Sequence, residues 1–274
     1  MGTMLDIDRA SDFSLAALTR IWNAAYEDYL VPLNFTEALV ERHVRRSQID
    51  LSRSLVALVD DRPVGLSLAA VRAERAWIGG FGIALPFRRR GLAGQLMTAQ
   101  LELLDREGVA ETVLEVIDEN PARQLYRRSG FVETRDLLLF EGLPPSGPAR
   151  AETLSPDDFI AAHRRLNPAT PTWRREIATG LDGIGEGAVP LGVRRGGEVV
   201  GYALAFEHGG KLVLFDAAAA DTDAAVDLLC ALGARWPALR LRLVDEPSTT
   251  PLAIGALASG LQVDTRQVEM ARSA

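Results

Sequence analysis

The segment of this sequence with the clearest chemical potential is GFGIALPFRRRGLAGQLMTAQ, residues 80–100. Three consecutive arginines separate an apolar, glycine-containing run from a helical pattern that begins at Leu92. Unpaired backbone N–H groups and the helix dipole favour an anion at such a helix N-terminus. Gly91 and Gly94 let the backbone approach a phosphate, and arginine adds charge-assisted hydrogen bonds. The segment therefore predicts a pyrophosphate site, with a solvated basic turn as the alternative.

Two other phosphate-binding motifs do not fit this loop. A Walker loop needs a Gly-Lys-Ser or Gly-Lys-Thr ending, and the loop contains no lysine. A dinucleotide-binding fingerprint needs a third glycine where the sequence has Leu85. Both alternatives are excluded by these residues.

Two motifs in this order resemble the GNAT superfamily of N-acyltransferases. Arg88, Gly91 and Ala93 match R-x-x-G-x-[GA], the acyl-CoA pyrophosphate loop of that family. The segment LEVIDENPARQLYRRSGF, residues 114–131, resembles the family pattern V-x-x-x-N-x-x-A-x-x-L-Y-x-x-x-G-F. The resemblance covers residues 3–142 well and the rest of the chain in outline.

The resemblance implies transfer of an acetyl group from acetyl-CoA to an amine, with the cofactor between two strands that separate. Tyr126 matches the family's general acid. Cofactor contacts carried over by the match are Phe81, Gly82, Ile83, Leu85, Arg88, Arg89, Arg90, Gly91, Leu92, Ala93, Gly94, Asn120, Ala122 and Tyr126. A small-molecule amine is the expected acceptor, and a peptide amine remains an alternative.

The second motif departs from the family pattern at one turn. Asn120 lies six residues before Tyr126, where the family usually has seven, so Glu119 or Asn120 fills the asparagine position. We take Glu119 as the candidate general base, with Glu115, Asp118 and Asp28 as the other acidic candidates.

Acceptor contacts are expected after the first helix, where the family places them. The residues there are Tyr26, Asp28, Tyr29 and Asn34. The three histidines lie outside both motifs and receive no role.

The chain is a tandem repeat of one α/β unit. The first half contains RSLVALVDDRPVGLSLAA, which predicts two strands joined by a turn, and the second half repeats this pattern as VPLGVRRGGEVVGYALAF. We predict a catalytic domain over 1–142, a proline- and glycine-rich linker over 143–150 and a degenerate GNAT-like domain over 151–274. The last domain is called degenerate because AAADTDAAV replaces the arginine loop and Ala256 stands at the place of Tyr126. The expected fold class is α+β, each domain having a mixed, mostly antiparallel sheet flanked by helices.

Local patterns predict the main elements of the first half. Expected helices cover residues 12–26 after a Ser11 cap, 92–107 and 121–129, the last closed by a left-handed Gly130. Expected strands cover 76–85, 112–117 and 132–140. In the second half, Ser155 is expected to cap a helix that begins at Pro156.

Composition limits the remaining function classes. A net charge of -7 disfavours nucleic acid and anionic membranes as partners. One cysteine excludes an internal disulfide and fits a reducing cytoplasm, and no membrane span, secretory signal or metal-binding pattern is predicted. A monomer or homodimer is expected. The functional alternative is a non-catalytic regulator that binds acyl-CoA.

Overall fold

The computed structural model describes residues 5–28, 30 and 34–274. The chain forms two compact units. The first unit comprises residues 1–134 and 269–274, and the second comprises residues 135–268. Each unit is a mixed sheet flanked by helices, so the predicted fold class is confirmed.

The first unit begins with a hairpin-rich sheet and ends with the elements that carry the two motifs. Its elements are β1 (Asp6–Arg9), α1 (Leu15–Ala25), α2 (Glu37–Arg46), β2 (Leu55–Val59), β3 (Arg62–Arg72), β4 (Arg75–Ile83), α3 (Leu92–Arg106), β5 (Glu111–Ile117) and α4 (Ala122–Arg128). Strands β1 to β5 lie in chain order. Only β4 and β5 run parallel, because α3 forms the crossover between them.

The first helix starts later than predicted. Residues 10–12 form a single 3₁₀ turn, and Ser14 rather than Ser11 caps α1, accepting a hydrogen bond from Ala17 N–H at 3.2 Å. The prediction of a Ser11 cap is wrong because Ser11 lies within the 3₁₀ turn, and Phe13, which is extended, separates that turn from α1. The predicted left-handed end of α4 is confirmed, since Gly130 has φ 91° and Phe131 is buried behind it.

Strands β4 and β5 separate soon after they meet. Their paired residues are Arg75 to Trp77 against Glu111 to Val113. The β3–β4 register shifts between Leu68 and Ala69, which leaves Gly79 as an extra residue on β4. A Cβ at Gly79 would lie 2.1 Å from the Trp77 ring, so only glycine fits at this bulge. Beyond Trp77 and Val113 the two strands are not paired, and we refer to the space between them as the cleft.

The second unit repeats this plan. Its elements are β6 (Val132–Gly142), β7 (Glu152–Thr153), α5 (Pro156–Leu166), α6 (Ile177–Gly185), β8 (Val189–Arg195), β9 (Glu198–His208), β10 (Lys211–Ala219), α7 (Thr222–Arg235), β11 (Arg240–Pro247), α8 (Pro251–Ala258) and β12 (Gln262–Ser273). Ser155 caps α5 as predicted, accepting from Asp158 N–H at 3.1 Å. The strand order within this unit is β12-β6-β11-β10-β9-β8-β7.

The compact units divide at residues 134 and 268, and the domain boundaries at 142 and 151 stay a prediction. Strand β6 continues to Gly142, which pairs with Leu241 of β11, so residues 135–142 belong to the second unit. The proline-rich stretch also packs within that unit: a Cβ at Gly147 would meet the Cys230 side chain, and one at Gly233 would meet Pro145 O. Residues 269–274 of β12 belong to the first unit.

Two structural features are absent from the described part of the chain. None of its helices combines the length and apolar character needed to cross a membrane. No group of three or more His, Cys, Asp or Glu side chains within those residues is arranged to hold a metal ion.

Candidate active site

A cavity of about 600 Å³ lies at the N-terminus of α3 in the first unit. Seven of the predicted cofactor residues line it, namely Ile83, Arg88, Arg89, Gly91, Leu92, Ala93 and Gly94. Five further lining residues were not predicted, namely Phe87, Thr98, Leu125, Arg128 and Ser129.

The α3 N-terminus has no side-chain cap. Its N-cap residue is Gly91, which has φ 79°, a left-handed backbone that only glycine adopts without strain. The first-turn N–H groups of a helix have no intrahelical acceptor, and here no side chain supplies one. A Cβ at Gly94 would meet nothing within 4 Å, so packing against the protein does not require this glycine. The arrangement leaves donors and space for a bound anion.

Arg88 is held by the protein backbone. Its Nε donates to Ile83 O at 2.9 Å, and its Nη2 donates to Ala25 O at 2.8 Å and to Glu27 O at 3.1 Å. The guanidinium thereby joins the end of β4 to the C-terminal end of α1. The side chain shapes the loop, and its cofactor contact stays a prediction.

The next two arginines differ from Arg88 and from each other. Arg89 is exposed and has φ 61°, an uncommon conformation for a residue with a Cβ. Arg90 donates to Pro86 O at 2.9 Å and lies 5.3 Å from the centroid of the Phe87 ring. The Arg90 hydrogen bond is exposed to solvent, whereas those of Arg88 to Ile83 O and Ala25 O are partly buried.

Tyr126 lies on α4 with 8% of its surface exposed. Its ring makes edge contacts with Phe81 and Phe131, each at a centroid distance of 6.1 Å. Phe81 and Gly82 lie on the part of β4 beyond its pairing with β5, so the fold places Tyr126 beside the cleft. Leu85, by contrast, is 42% exposed on a 3₁₀ turn.

The shortened turn before α4 has a structural role. Asn120 Oδ1 accepts a hydrogen bond from Ala122 N–H at 2.9 Å, which satisfies a first-turn donor of α4. Glu119 is exposed on the same turn. The roles of Asn120 and Ala122 in cofactor binding, and of Glu119 as base, stay predictions.

The other acidic candidates lie in different environments. Glu115, on β5 just beyond the last paired residue Val113, accepts a hydrogen bond from Trp77 Nε1 at 2.7 Å. Asp118 is exposed and forms an ion pair with Arg123. Glu115 therefore lies on β5 where the pairing with β4 has ended, whereas Asp118 and Glu119 lie on the exposed turn that follows.

The predicted acceptor residues lie around the end of α1. Tyr26 packs edge-on against Trp22 and Phe35, at centroid distances of 6.2 and 5.9 Å. Asp28 and Asn34 are exposed. Tyr29 lies outside the described residues.

His43 lies beside the cleft, although the sequence analysis gave it no role. Its ring lies between those of Trp22 and Trp77, at 5.2 and 5.8 Å, and its Nε2 is 3.1 Å from Gly79 O at the β4 bulge. The residue lies on α2, a helix with no motif, so only the packing of α2 on α1 and β4 places it beside the cleft.

The N-terminus of α7, the equivalent helix in the second unit, is capped by a side chain. Asp221 caps α7, accepting from Ala224 N–H at 2.7 Å, and pairs with Arg195 at 2.9 Å. The Ala224 hydrogen bond and the Arg195 contact hold the pKa of Asp221 below its usual value. The carboxylate therefore occupies the position at which the first unit has an open, uncapped helix end.

The comparisons with known proteins agree with this fold. Residues 15–131 match the model of the acetyltransferase (GNAT) family. Among curated protein sequences, a search found no match for this chain.

Solved structures with the same fold span the chain. A GCN5-related N-acetyltransferase from Sphaerobacter thermophilus has 19% identity and a TM-score of 0.73, covering 98% of this chain and 95% of that one. One from Kribbella flavida has 15% identity and a TM-score of 0.62, covering 99% and 71%. A tandem GNAT protein from the clavulanic acid biosynthesis pathway has 14% identity and a TM-score of 0.67, covering 98% of each chain. Residues 15–131 of this chain are therefore similar to the acetyltransferase (GNAT) family, and the chain as a whole has the fold of these solved structures.

Proposed function

We propose that the first unit transfers the acetyl group of acetyl-CoA to the primary amine of a small molecule. The observation that carries this proposal is the uncapped N-terminus of α3, next to the point where β4 and β5 separate. An open set of backbone donors suits a pyrophosphate, and separated strands suit the extended amide chain that follows it.

The residues present fit this cofactor. The backbone N–H groups of residues 91–94 would hold the pyrophosphate, with Arg89 and Arg128 adding positive charge to the same cavity. Arg88 would keep the loop in place through Ile83 O and Ala25 O. When bound, acetyl-CoA supplies an activated acetyl carbonyl and a thiol leaving group.

The acceptor amine must lose a proton before it can attack. An alkyl amine with a pKa near 10.4 is neutral in only about one molecule in 2,500 at pH 7. We assign proton removal to Glu115, because its carboxylate is oriented by Trp77 Nε1 and lies beside the cleft. Glu119, on the exposed turn, is the alternative base.

Tyr126 would hold the proton needed at the end of the reaction. A phenol with an ordinary pKa near 10 is protonated at neutral pH and can donate to a departing sulfur. The edge contacts with Phe81 and Phe131 fix the direction of the ring.

Release of free CoA thiol, measured with a panel of small primary amines and with peptides, tests the proposal. We expect turnover with at least one small amine and none with the matched alcohols. Binding of acetyl-CoA without turnover on any amine would contradict the proposal and favour an acyl-CoA-binding regulator; turnover on peptides alone would replace the acceptor class.

Two matched variants test the base. Glu115→Gln and Glu119→Gln each remove one carboxylate with little change in shape. We expect Glu115→Gln to lower kcat/KM for the amine at least about a hundredfold at pH 7 and to recover part of the rate as pH rises, since hydroxide then supplies the free amine. The reverse pattern, with loss only in Glu119→Gln, would transfer the role to Glu119.

A further inference from the structure

The second unit retains a cleft at the position of the acyl-CoA cleft of the first. Strands β10 and β11 pair only from Lys211 to Leu214 against Arg240 to Leu243. The β9–β10 register then shifts between Leu214 and Asp216, as β3 and β4 shift at Gly79 in the first unit. The two strands therefore separate after the bulge.

A buried arginine occupies the point of separation. Arg175 is 4% exposed, and its guanidinium donates to Ala217 O on β10 and to Asp245 O on β11, the latter at 3.1 Å. It also bonds Asp216 at 3.0 Å and Glu246. Burial acts to lower the pKa of Arg175, but the two carboxylates outweigh it and raise that pKa further above its ordinary value. Arg175 thus donates to backbone carbonyls that would otherwise be acceptors for the amides of a pantetheine chain.

A cavity of about 350 Å³ remains beside Arg175. Its lining includes the apolar residues Leu166, Pro168, Pro171, Ala218 and Pro247. It also includes Arg175, Glu246, Thr172 and the start of α8. Arg135 also lines it. This volume falls within the range of small-molecule sites, at about 300 to 1,000 Å³.

Two polar groups of the cavity lining can donate a hydrogen bond to an occupant. The Thr172 hydroxyl belongs to a residue that is 1% exposed and has no hydrogen-bond partner within the described residues. At the start of α8, Pro251 has no N–H and Ala253 N–H bonds to Thr250 Oγ1, so Leu252 N–H is left without an intrahelical acceptor. Leu252 also lines the cavity and is fully buried.

Glu246 is the one carboxylate among the lining residues, and both of its oxygens already accept hydrogen bonds. Glu246 accepts from Arg175 through Oε2 and from Thr250 through Oε1. A buried polar group without a partner costs free energy, so the occupant that fits has acceptor oxygens for the unpaired donors. An ammonium group has no acceptor to offer the Leu252 N–H.

We propose that this cavity of the second unit binds a small carboxylate with an apolar body. The carboxylate accepts from the Thr172 hydroxyl and from the Leu252 N–H at the positive end of α8. The apolar body packs against the proline and alanine residues of the lining. Acyl-CoA itself does not suit the second unit, because Asp221 closes the helix start that a pyrophosphate needs.

Binding of benzoate and hexanoate to the full chain tests this proposal. Dissociation constants from ligand-detected NMR titration are compared with those of benzamide and hexanamide, which have the same shape without the charge. We expect each acid to bind at least about tenfold more tightly than its amide, as a charge-assisted hydrogen bond predicts.

Three variants locate the site. Thr172→Val removes the hydroxyl at nearly constant shape and should weaken benzoate binding about tenfold, whereas Thr172→Ser should retain it. Ala218→Leu fills the cavity and should abolish binding. Thr265→Val, on β12 away from the cavity, is the matched control and should bind like the wild type. Acetyl-CoA affinity should be unchanged in all four, which separates this site from the proposed active site.

Either of two results would overturn the proposal. One is equal affinity for the acids and their amides. The other is acid binding that is unaffected by both Thr172→Val and Ala218→Leu in protein whose thermal unfolding remains cooperative. The acid–amide comparison uses the wild-type chain, so it decides the proposal even where a variant fails to fold.

Discussion

At the scale of single residues, Tyr126 is the side chain whose chemistry is easiest to isolate. Tyr126→Phe keeps the ring contacts with Phe81 and Phe131 and removes only the phenol oxygen. We expect kcat to fall about a hundredfold to ten-thousandfold while acetyl-CoA affinity changes by no more than a few-fold. The measurement is kcat from CoA release together with calorimetric affinity. A wild-type rate in a variant whose chemical step limits turnover would make Tyr126 a packing residue.

Variants of Arg88 and Arg89 distinguish structural support of the loop from an electrostatic contribution to acetyl-CoA binding. Arg88→Ala removes donors to Ile83 O and Ala25 O, so it should lower the melting temperature and weaken acetyl-CoA binding together. Arg89→Ala removes an exposed side chain, so it should weaken binding with little effect on stability and reduce its salt dependence. Calorimetry at two salt concentrations and thermal unfolding measure both. Equal melting temperatures in the two variants would argue against a supporting role for Arg88.

Arg175 differs from the exposed Arg89, because its charge is paired with two buried carboxylates inside the second unit. Arg175→Met leaves Asp216 and Glu246 buried without their cation, which should cost about 3 to 5 kcal/mol of unfolding free energy at pH 7. Burial already raises the pKa of Glu246, and loss of Arg175 should raise it further.

The pH dependence of that variant has a defined sign. A carboxyl whose folded pKa lies above its unfolded value destabilises the fold above the unfolded pKa, and this penalty shrinks as pH falls and the group binds a proton. The stability gap between Arg175→Met and the wild type, from urea unfolding, should therefore narrow from pH 7 to pH 5. A gap below about 1 kcal/mol at pH 7 would mean that the ion cluster contributes little.

At the scale of elements, the two units differ most clearly at one helix start. Gly94→Asp places an anion in the first turn of α3, where a Cβ meets nothing within 4 Å. An acid there should stabilise the helix by about 0.3 to 1 kcal/mol and, by repelling pyrophosphate, weaken acetyl-CoA binding at least about tenfold. Gly94→Asn is the matched neutral control and should retain most of the affinity. Equal losses of affinity in Asp and Asn would show that crowding, not charge, was responsible.

At the scale of the whole molecule, the tandem fold raises the question of how many acetyl-CoA sites a chain has. The first unit has an uncapped α3, whereas α7 of the second is capped by Asp221 and its cleft contains Arg175. We expect calorimetry to give one site per chain, and no site in Gly94→Asp at the same concentrations. Two equivalent sites would mean that the second unit binds acetyl-CoA despite these side chains.

Local patterns in the sequence determined much of this picture. The bounds of α3 and α4 follow from apolar spacing and from Gly130, whose left-handed backbone is a property of the residue itself. The repeat was readable because both halves have the same order of strands and turns. The loss of the arginine loop in the second half was predicted from the residues AAADTDAAV that replace it, whereas the Asp221 cap on α7 was not predicted.

Only the tertiary structure decided which side chains meet across the fold. Arg88 was predicted to contact the cofactor, yet its donors reach Ala25 O on a helix 63 residues away in sequence. His43 and Glu115 lie beside the cleft because α2 and β5 pack there, and no local pattern encodes that approach. The compact units divide within β6 because strand pairing with β11, not the proline-rich composition after it, determines where the chain packs. Arg175 lies outside every motif, and its place between β10 and β11 depends on carbonyls and carboxylates that are distant in sequence and meet only in the folded chain.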